Sequence, residues 1–301
     1  MANTLFNPHL RTPETTKSIM ADVCLALTPA AIGAAVFFGV KAIILIAVSV
    51  ATCVVAEAAW QKLHKEPVTV TDLSAVVTGL LLAFNVPSTT PVWALMLADI
   101  FAIIVVKQMF GGIGSNVLNP ALMGRLFLMV VYPSSIMKYA EPMQADVMSA
   151  ATPLAAMKHG ADAGYTLVEA FIGKIPGVLG ETSTLLLLIG FAYLVWKKEV
   201  NYEVTAAYFV TALVVITVLG GNPLMHFCSG GMVLGGCFML TDYNMSNKKG
   251  NILYGVVAGV LVAVIRMWST FPEGVCFSIL MTNTMAVLID QIITKHVYGV
   301  N

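Results

Sequence analysis

Long apolar runs alternate with short polar breaks along almost the whole chain. Dividing it at Gly, Pro, Asn and charged residues gives ten candidate spans: 18–39, 41–62, 72–87, 91–110, 117–133, 178–197, 202–220, 223–241, 251–268 and 273–293. A helix crosses a hydrocarbon layer with roughly 20 apolar residues, so each run reads as a transmembrane helix. Val204 to Thr241 contains no Asp, Glu, Lys or Arg and is too long for one crossing. It divides at "GGNP", Gly220 to Pro223. Spans three and eight are short and glycine-rich, and bent or broken helices are expected there.

Two stretches fall outside this rhythm. Residues 1–17 are polar with two prolines and read as an arm leading into the first span. Residues 134–177 form a long polar loop between spans five and six. The expected organisation is the arm, a first membrane unit at 18–133, the loop at 134–177 and a second unit at 178–301. Five spans per unit is an odd number, which forces opposite orientations. Two inverted five-helix repeats are therefore expected, the alternative being a ten-helix bundle without internal symmetry. "NPALMGRLFL" in span five and "MTNTMAVLID" in span ten hold equivalent places, each with an Asn near its start, Asn119 and Asn283.

Composition agrees with a membrane protein. Of 301 residues, 58% are hydrophobic and 11% charged, against about a quarter charged in soluble domains. The net charge is +0, which gives no electrostatic case for nucleic acid. Basic residues are unevenly placed. Arg11, Lys17, Lys62, Lys65, Lys107, Lys197, Lys198, Lys248, Lys249 and Lys295 fall on the side holding both termini. Lys41, Lys138, Lys158, Lys174 and Arg266 fall on the other, and Arg125 lies within span five. Cytoplasmic loops are enriched in Lys and Arg, so both termini are expected in the cytoplasm and the 134–177 loop outside. Trp60, Trp93, Trp196 and Trp268 lie near span ends, where an interfacial belt places them. Cys24, Cys53, Cys228, Cys237 and Cys276 all sit in apolar runs without CxxC spacing and read as buried thiols.

Candidate chemistry concentrates in the loop, at "DVMSAATPLAAMK", Asp146 to Lys158. Thr152 is suited to cap a short helix, and Pro153 fits the first helical turn because it has no N–H to leave unpaired. A hydroxyl there lies beside unpaired backbone N–H groups and the positive end of the helix dipole, a setting that tolerates a phosphate ester. Plain capping and phosphate attachment are both compatible with this spacing.

"DVMSAAT" resembles the flavinylation motif Asp-x-x-Ser/Thr-Gly/Ala-Ala-Thr, matched here by Asp146, Ser149, Ala151 and Thr152, with Ala150 where Gly is commoner. "FNPHLRTPETTKSIM", "GGIGSNVLNPALMGRLFL", "FCSGGMVLGGCFMLTD" and "FPEGVCFSILMTN" are similar to the NqrB/RnfD family over essentially the whole chain. The resemblance implies FMN joined by a phosphoester to Thr152 by a flavin transferase, with Asp146, Ser149, Ala151 and Pro153 around the attachment point. It implies a bacterial plasma-membrane subunit of the Rnf complex. That complex passes electrons between ferredoxin and NAD+, coupled to Na+ or H+ movement, with the other Rnf subunits and membrane lipid as partners. The family's fold is similar to urea-type channels. The short N-terminal arm favours the RnfD type over the NqrB type of the sodium-pumping quinone reductase, and a solute channel is the rival function.

The family also implies a second, non-covalent flavin, riboflavin, within the helices. "SNVLNPA" is the best candidate for its contacts: Asn116 and Asn119 are three apart and would share a helical face, and their amides both donate and accept. The alternative is that they cap and bend span five beside Pro120. Arg125, at lipid depth, needs a partner, either a flavin phosphate or carbonyl or an acid such as Glu57 or Asp99. Glu57, Asp99, Asp22 and Asp290 are candidates for a cation path, or for neutralisation by partner subunits. His226 is expected to be a satisfied polar group rather than a ligand, and the glycine pairs 230–231 and 235–236 to serve close packing, the alternative being close approach of a flavin.

Overall fold

The computed structural model describes residues 15–143, 152–158, 164–181, 183–242, 247–269 and 274–297, in which the regular elements are all helices joined by turns and loops, with no strand among them. Asp146, Ser149 and Ala151, and most of the N-terminal arm, lie outside the described residues.

Thr15 caps α1, Thr16–Phe38, accepting from the Ser18 N–H at 3.2 Å. A turn at Gly39 leads into α2, Val40–Leu63. Then come the short α3, Ser74–Phe84, and α4, Val92–Ile100, which runs directly into a π-helical segment, Phe101–Gln108. Helix α5, Pro120–Val131, begins at the Asn119–Pro120 pair. The loop carries two six-residue helices, α6 (Pro153–Lys158) and α7 (Leu167–Ile172), the latter closed by a capping box between Thr166 and Glu169. Helices α8 (Thr184–Lys197) and α9 (Tyr202–Val218) follow. In place of a continuous span eight the chain is broken into α10 (Pro223–Phe227), α11 (Met232–Leu234), a π turn at Gly235–Met239 and a 3-10 turn at Leu240–Asp242. Helices α12 (Lys248–Trp268) and α13 (Val275–Val297) complete the fold.

Among the described residues three helices are long and apolar enough to cross a membrane by length and composition: α1, α2 and α12. Several shorter apolar helices accompany them. The outward faces are apolar as well: Val36 is 60% exposed, Val55 65%, Val130 74% and Val218 79%. Water would penalise such a surface and lipid would not.

The core is continuous across the chain. Leu82 and Phe84 of α3 and Leu122 and Leu128 of α5 share one buried cluster with Leu187 of α8, Tyr208 of α9, Phe238 and Ile279. Helix α1 packs on α8, α9 on α12, and α5 on α13. Helices α2 and α3 approach closely at Gly79, where a Cβ would stand 2.8 Å from the Val50 Cα and 3.0 Å from the Ser49 carbonyl oxygen. Only glycine leaves that room.

Candidate functional site

The first site is the head of α6. Thr152 is buried, its hydroxyl accepts from the Ala155 N–H at 3.3 Å, and its carbonyl accepts from Ala156 at 3.0 Å. The expected cap is therefore present, directly ahead of Pro153. A recess beside it is lined by Thr152, Leu154, Ile175, Glu181, Ser229 and Gly230. Its free volume is about 10 Å3, too small for a ring, so any large group attached at Thr152 would lie beyond these walls.

The back of this recess is held by a buried guanidinium. Arg266 of α12 donates to the carbonyls of His226 at 2.6 Å, Ser229 at 3.0 Å and Gly230. Those carbonyls belong to the last turn of α10 and the break that follows it, where backbone oxygens lack a helical partner, and Arg266 supplies one. Gly230, at φ +74°, packs against the Leu154 side chain, so the broken helix and the head of α6 fit together. Glu181, in the loop ahead of α8, is buried here. The guanidinium groups of Arg125 and Arg266 both act on its carboxyl.

Arg125 does not meet either expected acid. It donates to the Asn85 side chain at 3.0 Å and interacts with Tyr139 and Glu181. Glu57 instead pairs with Lys107 at 2.7 Å and accepts from Gln108 at 2.5 Å. Asp99 faces Ser49 at 2.6 Å. The π-helical stretch explains the first exchange: it brings the adjacent Lys107 and Gln108 both onto Glu57. Arg125 also stands apart from the cavity that holds the two asparagines.

That cavity, of about 480 Å3, is the second site. Walls come from α1, α3, the end of the π segment, residues 113–121, Asp242 and α13. Its size falls in the range of small-molecule pockets, roughly 300–1,000 Å3. Asn116 and Asn119 both line it, but not from one helical face. Helix α5 starts at Pro120, so Asn119 is its cap and Asn116 lies in the preceding loop. The Asn119 side chain accepts from the Leu122 N–H at 3.1 Å and donates to Asp242. Its backbone N–H reaches Asn283 at 3.2 Å when the Asn283 amide is turned to satisfy both its ends. The buried Asn116 Oδ1 has no hydrogen-bond partner among the described residues. Donors (Lys107, Ser74, the amides) and acceptors (Asp242, Asn116) thus converge on one cavity, as the edge of an isoalloxazine requires.

Sequence reasoning paired Asn119 with Asn283 by position in the two halves, and the structure places them in contact. It did not find Asp242, Lys107 or Ser74 as cavity residues. Asp242 follows the glycine-rich span eight, and "LTD" at a helix end was the available signal.

Residues 3–299 match the NQR2, RnfD, RnfE family. The chain is 40% identical over 299 residues to the D-type subunit of the Na(+)-translocating ferredoxin:NAD(+) oxidoreductase complex of Acetobacterium woodii, covering 98% of this chain and 94% of that one. It is 35% identical to the D-type subunit of the proton-translocating ferredoxin:NAD(+) oxidoreductase complex of Clostridium ljungdahlii, covering 97% and 95%. It is 33% identical to the D-type subunit of the ion-translocating oxidoreductase complex of Stutzerimonas stutzeri, covering 94% and 92%. The match runs through the elements that build both sites, and the chain belongs to the NQR2, RnfD, RnfE family.

Proposed function

We propose that this chain is the D-type membrane subunit of an ion-translocating ferredoxin:NAD+ oxidoreductase, relaying electrons through FMN esterified to Thr152 and a non-covalent riboflavin in the 480 Å3 cavity. The observation that carries the reading is the Thr152 hydroxyl at the head of α6, within a flavinylation motif. The bound flavins supply the one-electron chemistry. Thr152 tethers the first. Asp146, Ser149, Ala151 and Pro153 present that threonine to a flavin transferase. Asn116 and Asn119 orient the second by amide hydrogen bonds, while Arg125, outside the cavity lining, is held by Asn85 and keeps a supporting role. The relatives from Acetobacterium and Clostridium carry ferredoxin and NAD+ in their names, which supports this acceptor pair over a quinone. Their names differ in the ion, sodium in one and protons in the other.

The same reading has ten membrane crossings in two inverted five-helix repeats, in a bacterial plasma membrane beside the other subunits of the complex. Both termini are cytoplasmic and the Thr152 loop faces outward, within reach of an extracytoplasmic transferase. The break of span eight and the shortness of span three support the repeat, since discontinuous helices at matching places mark inverted-repeat transporters.

The test is mass spectrometry of the peptide ending at Lys158, from protein made alongside a flavin transferase. The peptide is expected to carry FMN joined with loss of water, giving a fluorescent band on a denaturing gel that Thr152→Ala abolishes. An unmodified Thr152 in the assembled complex would remove the reading.

A further inference from the structure

Glu57 and Asp99 are both buried acids, but they are treated differently. Glu57 has a cation: Lys107 stands 2.7 Å away and also donates to Ser74 at 2.6 Å. Asp99 has none among the described residues. It is 0% exposed, and its polar neighbours there are the Ser49 hydroxyl at 2.6 Å and the Cys53 thiol at 3.5 Å, with Oδ2 unpartnered.

The hydrogens around Asp99 can be counted. Ser49 Oγ is also 2.9 Å from the Gly79 carbonyl. A hydroxyl has one hydrogen, and a carbonyl oxygen can only accept. If Ser49 donates to Gly79, its contact with Asp99 needs a hydrogen from the acid. A carboxylic acid at Asp99 donating to Ser49, and Ser49 donating to Gly79, fills both contacts. A carboxylate leaves two oxygens facing each other at one of them. An uncompensated charge at this depth is also expensive, while the neutral acid is not.

A route to this group is built into α2. Ser49, Cys53, Glu57 and Gln61 recur every four residues, all buried, and so form one polar stripe. Twelve residues of helix rise about 18 Å, which takes the stripe from the end of α2 to near the middle of a hydrocarbon layer about 30 Å thick. Gln61 is held by Thr69 at 2.8 Å, and Glu57 by Lys107, which with Ser74 lines the 480 Å3 cavity. The titratable group in contact with Asp99 is Cys53, and Cys53 in turn neighbours Glu57 on α2 and Lys107 at the end of the π segment, with Asp72 behind Ser74.

We propose that Asp99 is a proton-binding site at mid-membrane, loaded from the cavity through Lys107 and Glu57. In loading, a Glu57 O–H bond breaks and an Asp99 O–H bond forms, leaving carboxylate at Glu57 and acid at Asp99, and exchange runs through the reverse transfer. No redox partner is required, so the proposal stands apart from the flavin assignment.

The experiment is infrared spectroscopy of the purified complex during transfer from H2O to D2O. The wild type shows a protonated-carboxyl carbonyl band that shifts on deuteration. Asp99→Asn, close in size to the neutral acid, removes it. Ser49→Ala deletes the acceptor of that proton and moves the band to higher frequency, and serves where Asp99→Asn does not assemble. Glu57→Gln keeps the band and slows its deuterium shift by roughly a hundredfold, the usual loss when a positioned proton-transfer group is removed. The proposal is overturned if the band survives in Asp99→Asn or is unmoved in Ser49→Ala. It is equally overturned if exchange is as fast in Glu57→Gln, or if sodium ions abolish the band at constant pH.

Discussion

Asn119 shows how much one side chain carries here. Its oxygen caps α5 at Leu122, its nitrogen donates to Asp242, and its backbone N–H meets Asn283. Asn119→Ala is expected to cost about 1 kcal/mol through the lost cap. If the cavity holds the proposed non-covalent flavin, it should also release that flavin from the complex while leaving the proposed FMN on Thr152. Acid extraction separates the two, since the soluble flavin falls and the protein-bound fluorescence stays. Asn119→Asp keeps a cap but sets a second carboxylate beside Asp242, so the cavity should lose its flavin with α5 intact. Equal flavin content in both variants and the wild type would place the cofactor elsewhere. Caps of this kind are legible from sequence because they are local: Asn119–Pro120, Asn222–Pro223 and Ser183 all start helices as their residue types require. Partners of buried charges are not local. Arg125 meets Asn85, forty residues away, rather than the expected Glu57 or Asp99, because helix packing decides which faces meet.

Helix boundaries are readable to within a few residues where Gly, Pro and Asn break the apolar runs. The span expected at 41–62 is α2 at Val40–Leu63, and 202–220 is α9 at Tyr202–Val218. The π-helical stretch at Phe101–Gln108 is not readable, since a shifted backbone hydrogen-bond register leaves no mark on apolar composition. Its consequence is the buried Glu57–Lys107 pair. Lys107→Met strands the Glu57 charge and is expected to cost about 3–5 kcal/mol, whereas adding Glu57→Gln removes the stranded charge and recovers most of it. Thermal unfolding in detergent should rank the double variant well above Lys107→Met. If the single variant is as stable as the wild type, the pair is not buried as described. A second element-scale expectation concerns Gly79, where α2 and α3 touch backbone to backbone. Gly79→Ala forces them apart and should cost about 1–3 kcal/mol, read as a lower unfolding temperature than for alanine at Gly177, where a Cβ meets nothing within 4 Å and the backbone is not left-handed.

At the scale of the whole molecule, helix ends sort into two sets, independently of the Lys and Arg counts. One set gathers around the long loop: Met143 bonds to Phe37 at the end of α1, Gly180 to Phe84 and Leu179 to Val86 at the end of α3, and Thr89 to Lys138. Arg266, at the end of α12, joins it through the α10–α11 break. The other set holds Asp22 near the start of α1 with Tyr193 and Lys197 at the end of α8, and Asn119 with Asp242. Ends expected on one face thus contact each other, which is the arrangement that alternating crossings produce. On the proposed reading, the excess of Lys and Arg marks the second set as the cytoplasmic face. Lys174, exposed in the long loop, and Glu66, exposed after α2, should lie on opposite sides. In intact cells a membrane-impermeant maleimide is expected to label Lys174→Cys and to leave Glu66→Cys untouched until the membrane is opened. Native cysteines add little background, because Cys53, Cys228, Cys237 and Cys276 are buried. Labelling of Glu66→Cys from outside would invert the topology and move Thr152 to the cytoplasm, away from a transferase acting on the outer face.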